Sequence, residues 1–381
     1  MSKKKIALIV LATALVSSVL TVMGLMKLLG LGGDKTTDLL RFFGVKRMIE
    51  MRYVSDVDSS KLMDGAIDGM VKSLGDPHSI YMKSSLYKSL KEHTAGAFGG
   101  IGVTMGFKDD KVTIMSVLEG TPGEKVGLKV GDEIMSVDGT PVSEFQPEEV
   151  AMHIRGEAGT EVKLMIHRAD EEDREYAIER DMIKVRSAKG KMLDDTKMGY
   201  IRIASFGENT AEEFREEYNR LAEEGMQGMI IDLRQNPGGL ITSCVDVAKM
   251  LVPKGNIVSV VQKDGSREEY DSDLEAVKYP VVVLIDGNSA SASEILAGAL
   301  QDTEAATIVG TKSYGKGSVQ VVVPLFHDDG LKLTIAKYYT PSGKCIDGIG
   351  IEPDVTVNLS EEDTEDKQLN MAKEILQGKM Q

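Results

Sequence analysis

The sequence Tyr279-Pro-Val-Val-Val-Leu-Ile-Asp286, followed by Gly287-Asn-Ser-Ala-Ser-Ala-Ser-Glu-Ile-Leu-Ala-Gly-Ala-Leu-Gln-Asp302, decides the fold of this chain. Its first part is a short apolar, β-branched run, which predicts a strand buried on both faces. After Gly287 and Asn288, small residues and then apolar residues at helical spacing predict a helix up to Asp302. The chain therefore turns sharply from a buried strand into a helix.

Lys316 lies downstream of this turn, in Ser313-Tyr-Gly-Lys-Gly-Ser-Val-Gln320. A helix that ends at Asp302 carries the chain roughly 18 Å from the turn, and about six extended residues span the way back. The residues between Asp302 and Lys316 are sufficient, so we expect Lys316 to return beside the helix start with Gln320 near it. A serine at the turn would then face both a basic amine and the N–H groups of a helix N-terminus, which stabilise negative charge.

A serine beside a lysine predicts acyl-transfer chemistry. The serine hydroxyl is a weak nucleophile that requires a base, and an amine acts as a base only when it is neutral. The ordinary lysine pKa, near 10.4, must then fall by roughly 3 units, which burial achieves at a cost of about 4 kcal/mol. A glutamine can orient such an amine without adding a carboxylate charge, which would raise the lysine pKa again.

Two stretches carry a family resemblance: Asn288-Ser-Ala-Ser-Ala-Ser-Glu-Ile295 and Tyr314-Gly-Lys-Gly-Ser-Val-Gln320. They resemble the signature of the carboxy-terminal processing peptidases, which are serine peptidases of the tail-specific protease family. The resemblance implies a serine–lysine dyad in an α/β peptidase core of the crotonase/ClpP-like type. It assigns Ser291 as the nucleophile, Lys316 as the general base and Gln320 as the partner that orients the lysine. Neither a cofactor nor a metal is expected.

The same residues allow other interpretations. Ser291-Ala-Ser-Glu294 is also a capping box, and capping and catalysis can coexist at one helix start. Gly310-Thr-Lys-Ser-Tyr-Gly-Lys316 approaches a phosphate-binding loop, but Gly317 stands where a magnesium ligand is required and β-rich residues follow instead of a helix. A Ser-His-Asp triad would need a histidine such as His327, whose sequence His-Asp-Asp-Gly favours a solvated hairpin turn.

Length and composition limit the function classes. The chain has 381 residues, enough for two or three domains, and 42% of them are hydrophobic, which supports real cores. Its formal net charge of -15, without a lysine- or arginine-rich face, argues against nucleic acid as a partner. Cys244 and Cys345 have no zinc-binding spacing, and we interpret both as packing residues.

Residues 1–36 are predicted to form a cytoplasmic tip and a membrane anchor. Lys3-Lys4-Lys5 precedes the uncharged stretch Ile6–Met26, which is long enough to cross a hydrocarbon core of about 30 Å. The lysines favour the cytoplasm, which places a single-pass protein in the bacterial cell membrane with its catalytic part extracytoplasmic. A cleaved signal peptide is the alternative, but the small-residue site Ala12-Thr-Ala14 falls early in the apolar run.

The region 37–97 has amphipathic helical spacing and is predicted to be a helical N-terminal region. Its sequence Gly65-Ala-Ile-Asp-Gly-Met-Val-Lys-Ser-Leu-Gly-Asp-Pro77 resembles the part of the family that supports dimer contacts. The resemblance implies a homodimer. Packing of these helices against the core is an equal alternative.

Within residues 98–169, Gly99-Gly-Ile-Gly-Val103 precedes two predicted strands, and a predicted helix over Pro147–Arg155 precedes a last strand at Val162–His167. This order resembles a PDZ domain of the circularly permuted bacterial type. In such domains a glycine-rich loop offers backbone N–H groups to the terminal carboxylate of a peptide, which adds as a strand beside the sheet. We assign this loop to Gly100, Ile101 and Gly102; the alternative is a hairpin turn without a ligand. Substrates with free C-termini are therefore expected. Arg155, at the end of the helix in this module, is a candidate for contacting the catalytic core in one state, and a solvated arginine is the alternative.

Residues 170–357 are predicted to form the serine peptidase core, and residues 358–381 an acidic linker and a helix. The buried strand Met229–Leu233 runs into Arg234-Gln-Asn-Pro-Gly-Gly-Leu240, whose glycines allow close approach to a ligand. The resemblance implies an oxyanion hole formed by the Ala292 N–H and by Gly238 or Gly239. A tight turn between strand and helix, without a catalytic part, is the structural alternative.

These observations together predict a multidomain α/β protein with a membrane anchor, a helical N-terminal region, a β-rich PDZ-like domain and an α/β peptidase core. The predicted function is a serine endopeptidase that cleaves protein or peptide substrates near their C-termini. The alternative is a membrane-anchored PDZ adaptor with a catalytically silent core, because the sequence does not show that Lys316 is neutral.

Overall fold

The structure of the chain is a computed structural model, which describes residues 3–28, 34–108, 111–145, 147–169, 171–193, 196–360 and 362–380. Parts of four predicted segments lie outside these residues: positions 1, 2 and 29–33 of the predicted anchor, 109, 110 and 146 of the PDZ-like region, 170, 194 and 195 of the predicted core, and 361 and 381 of the C-terminal segment. The chain divides into two compact units, residues 1–81 and residues 82–381.

The first unit is helical. Its helices are α1 (Lys3–Leu28), α2 (Asp34–Arg52) and α3 (Ser59–Lys72), and the short strand β1 (Ile80–Met82) follows. Asp58 caps α3, because its carboxylate accepts from the N–H of Ser60 at 2.9 Å. Among the residues that the structure describes, no helix combines the length and the apolar character that a membrane crossing needs, so the predicted anchor is not supported.

The second unit opens with α4 (Ser84–Ala95) and continues into a β-rich module. The elements of this module are β2 (Ala97–Gly100), β3 (Val103–Lys108), β4 (Lys111–Val117), α5 (Pro122–Lys125), β5 (Glu133–Val137), β6 (Thr140–Pro141), α6 (Pro147–Ile154), β7 (Glu161–His167), β8 (Arg174–Glu179) and β9 (Asp181–Lys184). The main sheet has the order β3-β4-β5-β7-β8, so β8 extends the module past the predicted limit at residue 169. Buried residues such as Ile114, Leu164 and Ile178 form its own apolar core.

Strands β2 and β9 form a separate two-stranded ribbon in which Ala97 pairs with Lys184 and Gly100 with Asp181. The first and last strands of the module are therefore adjacent. The residues before β2 also touch the following domain, because the Thr94 carbonyl accepts from the N–H of Glu208 at 2.9 Å. The ribbon is thus the neck between the β-rich module and the rest of the unit.

The remaining domain alternates strands and helices. Its elements are β10 (Ala188–Met192), β11 (Met198–Ile203), α7 (Thr210–Glu223), β12 (Gly228–Asp232), α8 (Ile241–Ala248), β13 (Gly255–Gln262), β14 (Arg267–Ser272), β15 (Val281–Ile285), α9 (Ala292–Asp302), β16 (Ala306–Gly310), β17 (Ser318–Pro324), β18 (Gly330–Tyr339), β19 (Val355–Thr356) and α10 (Lys367–Lys379). The central sheet has the order β10-β11-β12-β15-β16-β19 and is parallel except for the antiparallel edge strand β10.

The central sheet is covered on both faces, which explains its unbroken apolar strands. Val281, Val283 and Ile285 of β15 pack into one cluster together with residues of α7, α8 and α9. Val282 and Leu284 pack into a second cluster with Ala372 and Leu376 of α10. The predicted buried strand and its sharp turn into a helix are thereby confirmed as β15 and α9.

A second sheet lies beside the central one and brings the lysine segment into place. Strand β18 pairs antiparallel with β17 and with β13, which pairs in turn with β14. The hairpin of β17 and β18 was predicted from its sequence, and the hairpin of β13 and β14 was not. Tyr338 of β18 is fully buried in the same cluster as the helices α8 and α9.

Candidate active site

The candidate site lies at the carboxyl ends of the neighbouring strands β12 and β15. These strands run parallel, with Asp232 opposite Leu284. The loop 233–239 follows β12, and the turn 286–291 follows β15. In open α/β sheets this edge is where catalytic loops meet.

Ser291 occupies the turn with a strained backbone. Its φ is 54° and its ψ is -115°, and a non-glycine residue at such a positive φ costs on the order of 1–3 kcal/mol. Neighbouring contacts hold this conformation: the N–H of Ala290 donates to the carbonyl of Asn236 at 3.0 Å, and the N–H of Ser291 donates to the Glu294 carboxylate at 2.8 Å. Strain of this kind exposes a serine hydroxyl at a strand-to-helix turn.

Glu294 is the residue that joins the serine turn to the lysine segment. Its carboxylate is fully buried and accepts four hydrogen bonds. One oxygen accepts from the N–H groups of Ser291 and Lys316, at 2.8 and 2.9 Å. The other accepts from the Gly315 N–H at 2.7 Å and from the Ser313 hydroxyl at 2.5 Å. Because one oxygen serves both residues, the backbone nitrogens of Ser291 and Lys316 lie within about 6 Å of each other.

Tyr338 makes a second connection between these two residues. Its hydroxyl donates to the Lys316 carbonyl at 2.6 Å and to the Ser291 carbonyl at 3.1 Å. Burial, and after it the neighbouring charge of Glu294, raises the pKa of Tyr338 well above its ordinary value. The hydroxyl therefore stays protonated and remains a donor.

Lys316 thus returns beside the helix start, as the segment length predicted. Its side chain lies in a half-buried position directly before β17. Gln320 is on β17 opposite Thr334, and its amide donates to the hydroxyls of Ser318 at 2.9 Å and Thr334 at 3.2 Å. The role of Gln320 as the partner that orients the lysine stays a prediction.

Gly238 approaches the serine turn so closely that no side chain fits. Its φ is 99°, and a Cβ there would lie 2.8 Å from the Ser291 Cβ and 2.9 Å from the Ala292 nitrogen. Its N–H donates to the Asn236 side chain at 2.8 Å. The Gly238 N–H thus has an acceptor within the loop, and the predicted close approach of these glycines to a ligand stays a prediction.

The direction of the Gly239 N–H follows from the hydrogen bonds of its two neighbours in sequence. The Gly238 carbonyl accepts from the Phe206 N–H at 2.9 Å, and the Phe206 carbonyl accepts from the Leu240 N–H at 2.7 Å. Since these bonds on either side of Gly239 face Phe206, the N–H of Gly239 itself points to the opposite side of this extended segment.

In the β-rich module, the predicted carboxylate loop connects β2 to β3. Gly102 has a φ of 80°, and its carbonyl accepts from the Leu118 N–H at 2.8 Å. Ile101 is buried, and its carbonyl accepts from the Gly123 N–H at 2.7 Å. Strand β3 is at one end of its sheet, where a further strand can add. Arg155 stacks over the ring of Phe98, 4.3 Å from its centroid, beside the strand that leads into this loop.

Cys244, Cys345 and His327 occupy positions that suit a structural role. Both cysteines are free. Cys244 donates through its sulfur to the Ala292 carbonyl at 3.1 Å, and burial raises the pKa of its thiol. His327 is exposed at the tip of the hairpin between β17 and β18, with a φ of 61°, as its sequence predicted.

Sequence reasoning missed Tyr338 and Asn236 and gave Glu294 only a capping role. The capping box of Ser291 and Glu294 was the one local sequence pattern that pointed to any of these three residues. Nothing in the sequence near Glu294 indicates its bonds to residues 313–316.

Three family profiles match successive parts of the chain. The profile described as Peptidase family S41 matches residues 197–357, and a PDZ domain profile matches residues 89–167. A profile described as the Activating protease CtpB N-terminal domain matches residues 32–85.

Several relatives are similar over most of the chain. A carboxy-terminal-processing protease of Bartonella bacilliformis is 39% identical, over 84% of this chain and 75% of the relative. The carboxy-terminal processing protease CtpA of Bacillus subtilis is 38% identical, over 93% and 77%. A solved structure, the photosystem II D1 C-terminal processing protease, is 30% identical with a TM-score of 0.50, over 88% of this chain and 96% of that one. The chain therefore belongs to peptidase family S41, among the carboxy-terminal processing proteases of the serine type.

Proposed function

We propose that this chain is an endopeptidase that cleaves protein substrates near their C-termini, with Ser291 as nucleophile and Lys316 as general base. The observation that carries the proposal is the shared carboxylate of Glu294, one oxygen of which accepts from the N–H groups of both residues. This arrangement puts a serine and a lysine, 25 positions apart in sequence, at one edge of the sheet.

The proposed reaction proceeds through an acyl-enzyme. The Ser291 hydroxyl oxygen attacks the carbonyl carbon of the scissile peptide bond, and the neutral Lys316 amine accepts the hydroxyl proton. The amine then gives this proton to the leaving nitrogen as the peptide bond breaks. Water, deprotonated by the same amine, hydrolyses the ester and releases the new C-terminus. Gln320 orients the lysine in this proposal.

For the oxyanion hole we propose the N–H groups of Ala292 and Gly239. Ala292 begins α9, where the N–H groups of the first helical turn have no partner within the helix. Of the two glycines, Gly239 is favoured because the Gly238 N–H already donates to Asn236. Two fixed donors at this position would stabilise the developing negative charge of the tetrahedral intermediate.

A casein-degradation assay tests the proposed activity. Wild-type protein is expected to degrade casein, and Ser291→Ala is expected to reduce degradation to background, because this variant lacks the proposed nucleophile. Ser266→Ala, a change in an exposed turn between β13 and β14, is the matched control and should retain activity. Equal degradation by wild type and Ser291→Ala would rule out the assignment, and an inactive wild type would favour a PDZ adaptor.

We also propose that the PDZ domain binds free C-terminal carboxylates through Gly100, Ile101 and Gly102. Two features support this: the positive φ of Gly102, and the position of β3 at the end of its sheet. A peptide added beside β3 would bring its carboxylate to the loop that precedes this strand. The neck of β2 and β9 joins this loop directly to the catalytic domain.

Peptide binding is expected to stimulate catalysis and not merely to tether the substrate. Hydrolysis of a short reporter peptide that lacks a recognisable tail should increase about fivefold or more when an uncleavable peptide with a free apolar C-terminus is added. The same peptide with an amidated C-terminus is the matched control and should have no effect. Pure competition, or no effect of the free peptide at any concentration, would contradict this coupling.

The predicted homodimer and the extracytoplasmic location of the catalytic part stay predictions. What supports the dimer is a set of exposed apolar side chains on α2 and α3: Leu40, Phe43, Met48, Met51 and Met70.

A further inference from the structure

The C-terminal helix α10 is linked to the candidate active site through a partly buried ion-pair cluster. The helix packs on the face of the central sheet opposite α9, where Ala372 and Leu376 are buried against Ile230 and Val282. Its N-cap, Asp366, accepts from the Leu369 N–H at 3.0 Å. The Asp366 carboxylate also accepts from Arg234, in the loop that follows β12.

Arg234, the second residue of that loop, is held between two carboxylates. Its guanidinium donates to Asp232 at 3.0 and 2.7 Å and to Asp366 at 2.9 and 2.8 Å. Asp232 is fully buried and also accepts from the Tyr200 hydroxyl at 2.6 Å. Gln368 of α10 accepts from the same guanidinium at 3.2 Å. Paired geometry of this kind fixes the direction of a guanidinium plane.

Hydrogen bonds hold the groups of this cluster in the protonation states that its contacts require. Although burial opposes it, the hydrogen bonds from Arg234 hold the pKa of Asp366 below its ordinary value. Burial and the bond to Asp232 raise the pKa of Tyr200 to about 12, so its hydroxyl remains a donor. The cluster is thus fully formed near neutral pH.

From Arg234 the loop leads directly to the nucleophile. Gln235 donates through its N–H to Asp286 at 3.0 Å. The Asn236 carbonyl accepts from the Ala290 N–H and from the Ser293 hydroxyl, both at 3.0 Å. The far end of the loop is therefore fixed to the serine turn, and its near end is fixed to α10 through Arg234.

We propose that Asp366 is a positioning residue for the peptidase reaction: by holding Arg234, it fixes the loop 234–239 and hence the oxyanion donor against Ser291. The C-terminal helix then governs turnover without touching the substrate. The activity part of this inference rests on the proposed function, while the position of the loop does not.

The test compares three full-length variants. Asp366→Asn keeps helix capping, because asparagine is an equally good N-cap, but places an amide where Arg234 needs an acceptor. Asp366→Glu keeps the carboxylate. Asp363→Asn is the matched control, because Asp363 pairs with Lys367 on the same segment and leaves Arg234 untouched.

For Asp366→Asn we expect kcat for the reporter peptide to fall about tenfold or more with KM within about twofold, since only transition-state stabilisation is lost. The backbone amides of residues 235, 236, 238 and 239 should exchange hydrogen faster in this variant; Pro237 has no amide hydrogen. Asp366→Glu and Asp363→Asn should remain near wild type in both measurements.

Unchanged kcat and unchanged exchange in Asp366→Asn would overturn the proposal. So would faster exchange across the whole central sheet with a lower melting temperature, because Asp366 would then serve stability alone. If wild-type protein itself proves inactive, the proposed function fails, and the exchange of residues 235–239 still decides whether Asp366 positions the loop.

Discussion

Replacing Lys316 with arginine or alanine is expected to reduce peptide hydrolysis by about 10³-fold or more, because neither residue offers a neutral amine near neutral pH. The fold should survive both changes. Two contacts of this residue use its backbone, so both variants retain them: its N–H donates to Glu294, and its carbonyl accepts from Tyr338. The measurement is hydrolysis of the reporter peptide together with the melting temperature, which should change little.

The matched control is Lys312→Arg. Lys312 lies in the same segment, is exposed and pairs with Glu352, so this variant should retain activity. Wild-type activity should rise with pH as the Lys316 amine loses its proton. Substantial turnover by Lys316→Arg, or a flat profile between about pH 6 and 9, would exclude a lysine base that titrates in this range.

Substituting Glu294 with glutamine should damage both activity and stability. The buried Glu294 carboxylate accepts hydrogen bonds from four donors, two on each oxygen. In glutamine an NH₂ group replaces one of these oxygens, so two of the donors lose their acceptor. Buried donors left without acceptors cost about 1–3 kcal/mol each, so unfolding free energy should fall by about 3 kcal/mol or more. Because the serine turn and the lysine segment would separate, kcat should fall about a hundredfold.

The control for this change is Glu223→Gln on α7, which removes the same charge from an exposed position. It should leave the denaturation midpoint and kcat near wild type. Denaturant unfolding and reporter hydrolysis, measured on both variants, separate the two effects. A Glu294→Gln variant with a normal midpoint and normal kcat would show that the shared carboxylate is not needed to assemble the site.

Local patterns predicted the elements that position the site. The apolar run before Asp286 has no polar interruption, so it could only be a strand covered on both faces, and β15 is that strand. The small residues after it predicted the turn, and chain length alone predicted the return of Lys316. Strands β8 and β9 and the hairpin of β13 and β14 carry no comparable motif, and their pairing depends on the rest of the fold.

The finer arrangement of the site could not be predicted, because it depends on contacts between segments far apart in sequence. Glu294 has a local capping signature, but its bonds to residues 313–316 exist only after the hairpin has folded onto α9. Tyr338 has the pattern of an ordinary core residue on an alternating strand. Gln320 follows the family motif, yet its amide rotamer, bonded to Ser318 and Thr334, is set by the neighbouring strand.

The ribbon of β2 and β9 has an evolutionary consequence. The PDZ domain begins on β2 and ends on β9, and these two strands are paired. Any replacement domain must therefore have its two ends at the same separation. Excision or exchange of the whole domain therefore requires only a hairpin-sized junction and leaves the catalytic sheet undisturbed. Recognition domains of different specificity can thus be exchanged on one peptidase core during divergence, each joined to it by the same pair of strands.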